Sequence, residues 1–148
     1  MPITYLPDDH HVIRYVPWAK LRKDEDDNVI GILGVAFRLR DDEEYLSATW
    51  MEFFPGTKSI CVQAAVQKIR ASNMSVSPKS GFAIGNVKAI KTTCAADKHR
   101  HKIRIIHARE DDNPAHTALR GWPRENEDLL NLIADDIWNE TVLNKNIP

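Results

Sequence analysis

The densest cluster of chemically capable side chains is KHRHKIRIIHARED, Lys98 to Asp111, which holds three of the six histidines. His99 and His101 are separated by a single residue, so in extended chain both rings point to one side, a spacing that sterically allows a zinc pair. A structural zinc needs about four N or S ligands, and a catalytic zinc about three plus a water. The others would have to come from His107, His116 or the N-terminal PDDHH, and no motif draws these together. The expectation is no metal and no cofactor. The run Lys98, His99, Arg100, His101 and Lys102, with Lys88 and Lys91 on a preceding helix, suits phosphate better. No aromatic residues interleave with it, so stacking on single-stranded nucleic acid has no support.

Other candidates are scattered. GNVK places Asn86 and free backbone N–H groups at an expected helix start, where anions bind well. His116 in NPAHT is expected in the first turn of a short helix, whose dipole favours the neutral ring that can act as a base. His107, His116 and Arg14 are the catalytic candidates; Asn86, Lys88, His99, Arg100, His101 and Tyr45 are the substrate-binding ones. No nucleophile stands out among Ser47, Thr49, Cys94 and Thr117, and GxSxG is absent. The acidic quartets Asp24–Asp27 and Asp41–Glu44 fail the calcium-loop pattern and read as solvated strand ends that would attract a basic partner. Arg14 on one strand with Tyr45 and Ser47 on another resembles the way ADP-ribosyltransferase-type enzymes draw residues from separate strands, without a full motif.

The elements that must carry these residues follow from periodicity. Val12–Trp18 alternates as a strand, and Pro17 can open a short helix through Lys23. VIGILGVAFRL reads as a strand broken near Gly31 and Gly34, and the aromatic content of YLSATW favours a strand. Ser59 caps a helix whose Val62, Ala65, Val66 and Ile69 form its inner stripe; SNMSVSPKSG is a loop. Phe82–Ile84 is a strand, Gly85 a turn and Asn86 the cap of a helix with Val87, Ile90 and Cys94 inward. HKIRIIHA is a strand, with Ile103, Ile105 and His107 on one face. Asn113, Pro114 and Gly121 punctuate DNPAHTALRG as a short helix. The last helix runs through PRENEDLLNLIADDIWNETVLN, with Glu125, Glu127 and Asp128 at its positive end and Leu129, Leu130, Ile133, Ile137 and Trp138 as its apolar stripe.

The fold expected is α+β: a small mixed or antiparallel sheet of about five strands covered by about three to four helices, ending in an amphipathic helix. The 148 residues form one domain, residues 1–148, and 43% hydrophobic with 28% charged residues is ordinary globular usage. A net charge of −1 gives no overall pull toward nucleic acid or an acidic membrane. Cys61 and Cys94 sit in apolar surroundings and read as buried free thiols. The N-terminus lacks a secretory pattern and no apolar run reaches the roughly 20 residues of a membrane span, so a soluble cytoplasmic protein is expected. Tryptophans at 18, 50, 122 and 138 exceed a minimal core and suit an interface. The first functional reading is a non-catalytic regulatory module engaging a protein partner or a copy of itself, with nucleic acid and membrane excluded. The alternative is a small enzyme acting on a nucleotide or other phosphate-bearing substrate, which requires Arg14, Asn86, Lys88, the 98–102 run and a histidine to converge.

Overall fold

A computed structural model describes residues 2–72, 74–124 and 126–148. The chain is α+β: among the described residues it has eight strands and three α-helices. Six strands form one antiparallel sheet and two form a separate hairpin, one strand more in the main sheet than the periodicity implied. The strands are β1 (His11–Val16), β2 (Leu21–Lys23), β3 (Val29–Ile32), β4 (Tyr45–Trp50), β5 (Gly81–Asn86), β6 (Arg104–His107), β7 (His116–Arg120) and β8 (Glu140–Leu143). The helices are α1 (Lys58–Ala71), α2 (Val87–Ala96) and α3 (Glu127–Asp136). The main sheet runs β6-β7-β4-β1-β5-β8, and β2-β3 stands apart.

Cross-strand partners assign the two faces. Ile13 lies opposite Thr49 and Ile84, Tyr15 opposite Phe82, and Phe82 opposite Val142. On that face α1 packs Cys61, Val62, Ala65, Val66 and Ile69 onto Ile13, Phe82 and Ile84. The other face carries Val12, Val16, Leu46, Ala83, Ile105 and Leu119 under α2 and α3, with Trp122 and Trp138 buried among them. Each buried Leu, Ile or Val there contributes roughly 1.5–3 kcal/mol relative to exposure.

Several local expectations give way to tertiary structure. Gly85 is no turn: β5 runs through it, and a Cβ there would stand 3.1 Å from the Trp138 ring, so glycine lets the indole lie on the sheet. Asn86 does cap α2, accepting from Ala89 N at 2.9 Å. Thr57, not Ser59, caps α1. The segment after Pro17 makes only a 3-10 turn, Trp18–Lys20, before β2, because its residues pair with β3.

The largest correction concerns DNPAHTALRG, which is a turn followed by β7 rather than a helix. Asn113 serves the turn, accepting from Ala115 N at 3.1 Å, and Asn-Pro signals either structure equally well. Gly121, at φ 78°, is needed because a Cβ would collide with the Lys102 carbonyl. The last helix is also shorter than its apolar stripe: α3 stops at Asp136, Ile137 and Trp138 are buried beyond it, and Thr141–Val142 form β8 on the edge of β5. Asn126 caps α3, accepting from Leu129 N at 3.2 Å; Glu125, assigned to its positive end, lies outside the described residues, as does Asn73 of the loop after α1.

Candidate functional site

The helix α1 covers only the β1-β5-β8 half of its face. On the other half Tyr45, Ser47 and Thr49 of β4 lie opposite Arg120, Ala118 and His116 of β7. Among the described residues the buried polar ones are Thr49, Ser80, Asn113, His116 and Thr117; Thr49, Asn113 and His116 stand here, while Thr117 faces the other side of β7. Buried polar groups must find partners, so their concentration at one place marks a built polar network. Asn113 Nδ2 donates to Thr49 Oγ1 at 2.9 Å, and Thr117 Oγ1 donates to Ala115 O at 3.2 Å.

His116 is oriented by the main chain. Its Nδ1 lies 2.8 Å from Ala108 O, and a carbonyl can only accept, so Nδ1 carries the proton. In the neutral ring Nε2 is then the lone pair, and it lies 3.3 Å from Ser47 Oγ. The Ser47 hydroxyl donates to it, which is the nucleophile–base relation that serine chemistry requires. Glu110 Oε1 stands 3.7 Å from the same Nε2, and the Tyr45 ring meets the imidazole edge-on at 5.9 Å.

Arg14 completes the cleft. The β1-β4 ladder ends at Ile13 opposite Thr49, and the guanidinium fills the gap beyond. Nη1 donates to Ser47 O at 2.6 Å and Nε to Ala36 O at 3.3 Å. Burial lowers its pKa to about 10, with Glu43 opposing that shift and Arg40 adding to it. No carboxylate among the described residues reaches it within ion-pair distance. Arg14, Ser47 and His116 line a cleft of about 430 Å³ with Lys20 at one side and Glu110 and Asp112 at its rim.

The remaining sequence candidates do not join them. His107 lies opposite Thr117 and therefore on the other face from His116; its Nε2 donates to Pro114 O at 2.7 Å and its ring packs 5.4 Å from Trp50. Asn86 is spent on the α2 cap and on the carbonyls of Asp8 and His10. Lys88 is exposed on α2, where its N–H bonds Asp8 O. His99 and His101 meet edge-on at 6.1 Å beside Asp97, and Arg100 occupies the tip of the same turn. The convergence that the phosphate-enzyme reading required is thus limited to Arg14, His116 and Tyr45. By sequence Ser47 is weighed as a nucleophile and set aside, and is named with Arg14 and Tyr45 as residues of separate strands, but it is not among the site residues chosen.

The thiols stand apart from this chemistry. Cys61 and Cys94 are free and buried. Burial pushes the Cys94 thiol up to about 12, with Asp97 adding, and raises Cys61, with Glu52 adding. Among the described residues no group of three or more His, Cys, Asp or Glu side chains could hold a metal ion, and no helix is long and apolar enough to cross a membrane. No family model, curated protein or solved structure matches the chain.

Proposed function

We propose that the Arg14–Ser47–His116 cleft is the active site of a small enzyme acting on a phosphate-bearing substrate. One observation carries the reading: a half-buried guanidinium without a carboxylate partner bonds the Ser47 carbonyl, and the hydroxyl of that serine faces a histidine lone pair. A partly desolvated cation of this kind, bonded only to the carbonyls of Ala36 and Ser47, favours an anion in contact with it. Arg14 holds the phosphate, Lys20 adds charge at the mouth, and Glu110 and Asp112 meet a hydroxyl- or amine-bearing remainder. Ser47 Oγ attacks the electrophilic centre, passing its proton to His116 Nε2; His116 returns it to the leaving group. The Nδ1–H bond to Ala108 O keeps the ring in the tautomer this requires.

The test is covalent labelling with a fluorophosphonate probe, read by mass spectrometry. Ser47 takes the label in the parent chain, and His116→Gln slows labelling at least about a hundredfold, the usual scale of general-base assistance. Labelling that spares Ser47, or that proceeds equally in His116→Gln, ends this reading.

A second reading, a module binding a basic protein partner, rests on a different surface. Ile30 on β3, Val35 beside Gly34, and Leu132 on α3 are 61%, 44% and 44% exposed, and their elements pack against one another. The Asp24–Asp27 turn between β2 and β3 and Asp128, Asp135 and Asp136 of α3 are exposed and acidic on these same elements. Trp122 and Trp138 are committed to the core, which leaves Trp18 and Trp50 partly exposed. Leu132→Asp abolishes capture of a basic partner from cytosol if this surface is used, and leaves the captured set unchanged if it is not.

A further inference from the structure

A second cleft, of about 470 Å³, opens at the β6 edge of the sheet, beside α2. Four cationic residues line it: Lys91, Arg100, Lys102 and Arg104. No carboxylate lines it; of the acids that touch lining residues, Asp97 stands 3.7 Å from His101 and Asp8 is paired with Lys91 at 2.5 Å. That pairing holds the Asp8 carboxyl below its usual range. Arg100, Lys102 and Arg104 are exposed and have no ion-pair partner among the described residues. Arg104 also lies directly opposite Arg120 in the β6-β7 ladder, and Arg120 is met by the Glu44 carboxylate at 3.8 Å.

The floor is apolar: Leu6, Ile103 and Ile105 are 3%, 5% and 2% exposed. Tyr5, 55% exposed, stands at the rim on the segment that bridges to Ile106. Arg100 adopts φ 49°, a conformation that non-glycine residues seldom take and that carries strain. It is held there by Arg100 N–H on Asp97 O at 2.8 Å and His101 N–H on Cys94 O at 3.0 Å. Cations beside an apolar floor and a free aromatic ring fit a ligand with a phosphate group at one end and a planar group at the other. The volume lies within the usual range for small-molecule sites, roughly 300–1,000 Å³.

We propose that this α2-β6 cleft is a binding site for a nucleoside phosphate, separate from the Arg14 cleft: Arg100, Lys102 and Arg104 take the phosphates, and Tyr5 over Leu6 and Ile105 takes the base. The reading stands whether or not Ser47 is a nucleophile.

Calorimetry with ADP, pyrophosphate and adenosine tests it. ADP binds the parent chain, pyrophosphate binds more weakly, and adenosine gives no heat. The Arg100→Ser/Lys102→Ser variant raises the ADP Kd at least about tenfold, from two lost charge-assisted contacts. Both residues are exposed, so circular dichroism should show the parent fold. Arg14→Met leaves ADP binding unchanged, whatever it does to Ser47 labelling. The proposal fails if ADP does not bind, if the double variant binds it as the parent does, or if pyrophosphate binds as tightly as ADP. It fails equally if Arg14→Met alone removes ADP binding, or if an oligoribonucleotide binds where ADP does not.

Discussion

The two faces of the six-stranded sheet are built on different rules. One is closed: α2, α3 and the 3-10 turn Gly34–Phe37 cover it, and its side chains are Val, Leu, Ala and Ile around Trp138 and Phe37. The other is closed only where α1 lies, and the uncovered half is Tyr45, Ser47, His116 and Arg120. The first face gains from excluding water. The second spends its positions on hydrogen-bonded polar groups that water or a ligand can reach. The difference teaches where chemistry can sit: beside α1, where a rigid sheet presents polar side chains that no helix needs for packing.

Substitutions that exchange the rules should separate the faces. Ile133→Asp puts an unpaired carboxylate under the closed face, where Ile133 is fully buried, and should cost about 3 kcal/mol or more by denaturant midpoint. A cost near zero would mean that α3 is loosely docked. Gly121→Ala should cost about 1–3 kcal/mol, because the positive φ and the Lys102 carbonyl both oppose a Cβ; thermal unfolding reads it. Ser47→Ala on the open face should cost less than about 1 kcal/mol while removing all probe labelling, so that stability and activity part company there. Asp136→Ala, exposed on α3, should change stability by less than about 0.5 kcal/mol.

A pH series sharpens the contrast at Arg14, which starts from the closed side of β1, opposite Ala83, and reaches the cleft through the gap beyond the β1-β4 ladder. Phosphate binding in the Arg14 cleft needs the guanidinium protonated, and its pKa is lowered to about 10. Affinity contributed by Arg14 should therefore hold steady below that value and fall as pH rises through it, with the loss absent in Arg14→Met. The sign for folding is opposite. A cation whose folded pKa is depressed disfavours the folded state below that pKa, and the penalty is relieved as pH rises from about 10 toward the ordinary guanidinium range.

Much of the apolar packing on both faces was legible in the sequence. The stripes Val62-Ala65-Val66-Ile69 and Val87-Ile90-Cys94 are buried as their period implied, and YLSATW is a strand. β7 was not legible. HTALR is buried from His116 through Leu119 on both faces, so its sequence lacks an alternating pattern, and the Asn-Pro before it mimics a helix start. β8 was hidden because Ile137 and Trp138 extend the apolar stripe of α3 although the backbone has already left the helix. The candidate site depended on both the missed strand and the register. His116 was found as a residue type, but its approach to Ser47 comes from β4 pairing with β7, a relation between segments far apart in the chain.

That same pairing has a kinetic side. Within the six-stranded sheet only β6 and β7 are neighbours in both space and sequence. The central strand β1 is bonded on one side to β4 and on the other to β5, each reached only after a long stretch of intervening chain. Loop closure must precede every one of these gains, which places refolding in the slow class, on the order of milliseconds to seconds. Until β4 and β5 arrive, β1 has two bare edges that can pair with another chain, so the crowded refolding reaction is where this architecture is most exposed to aggregation.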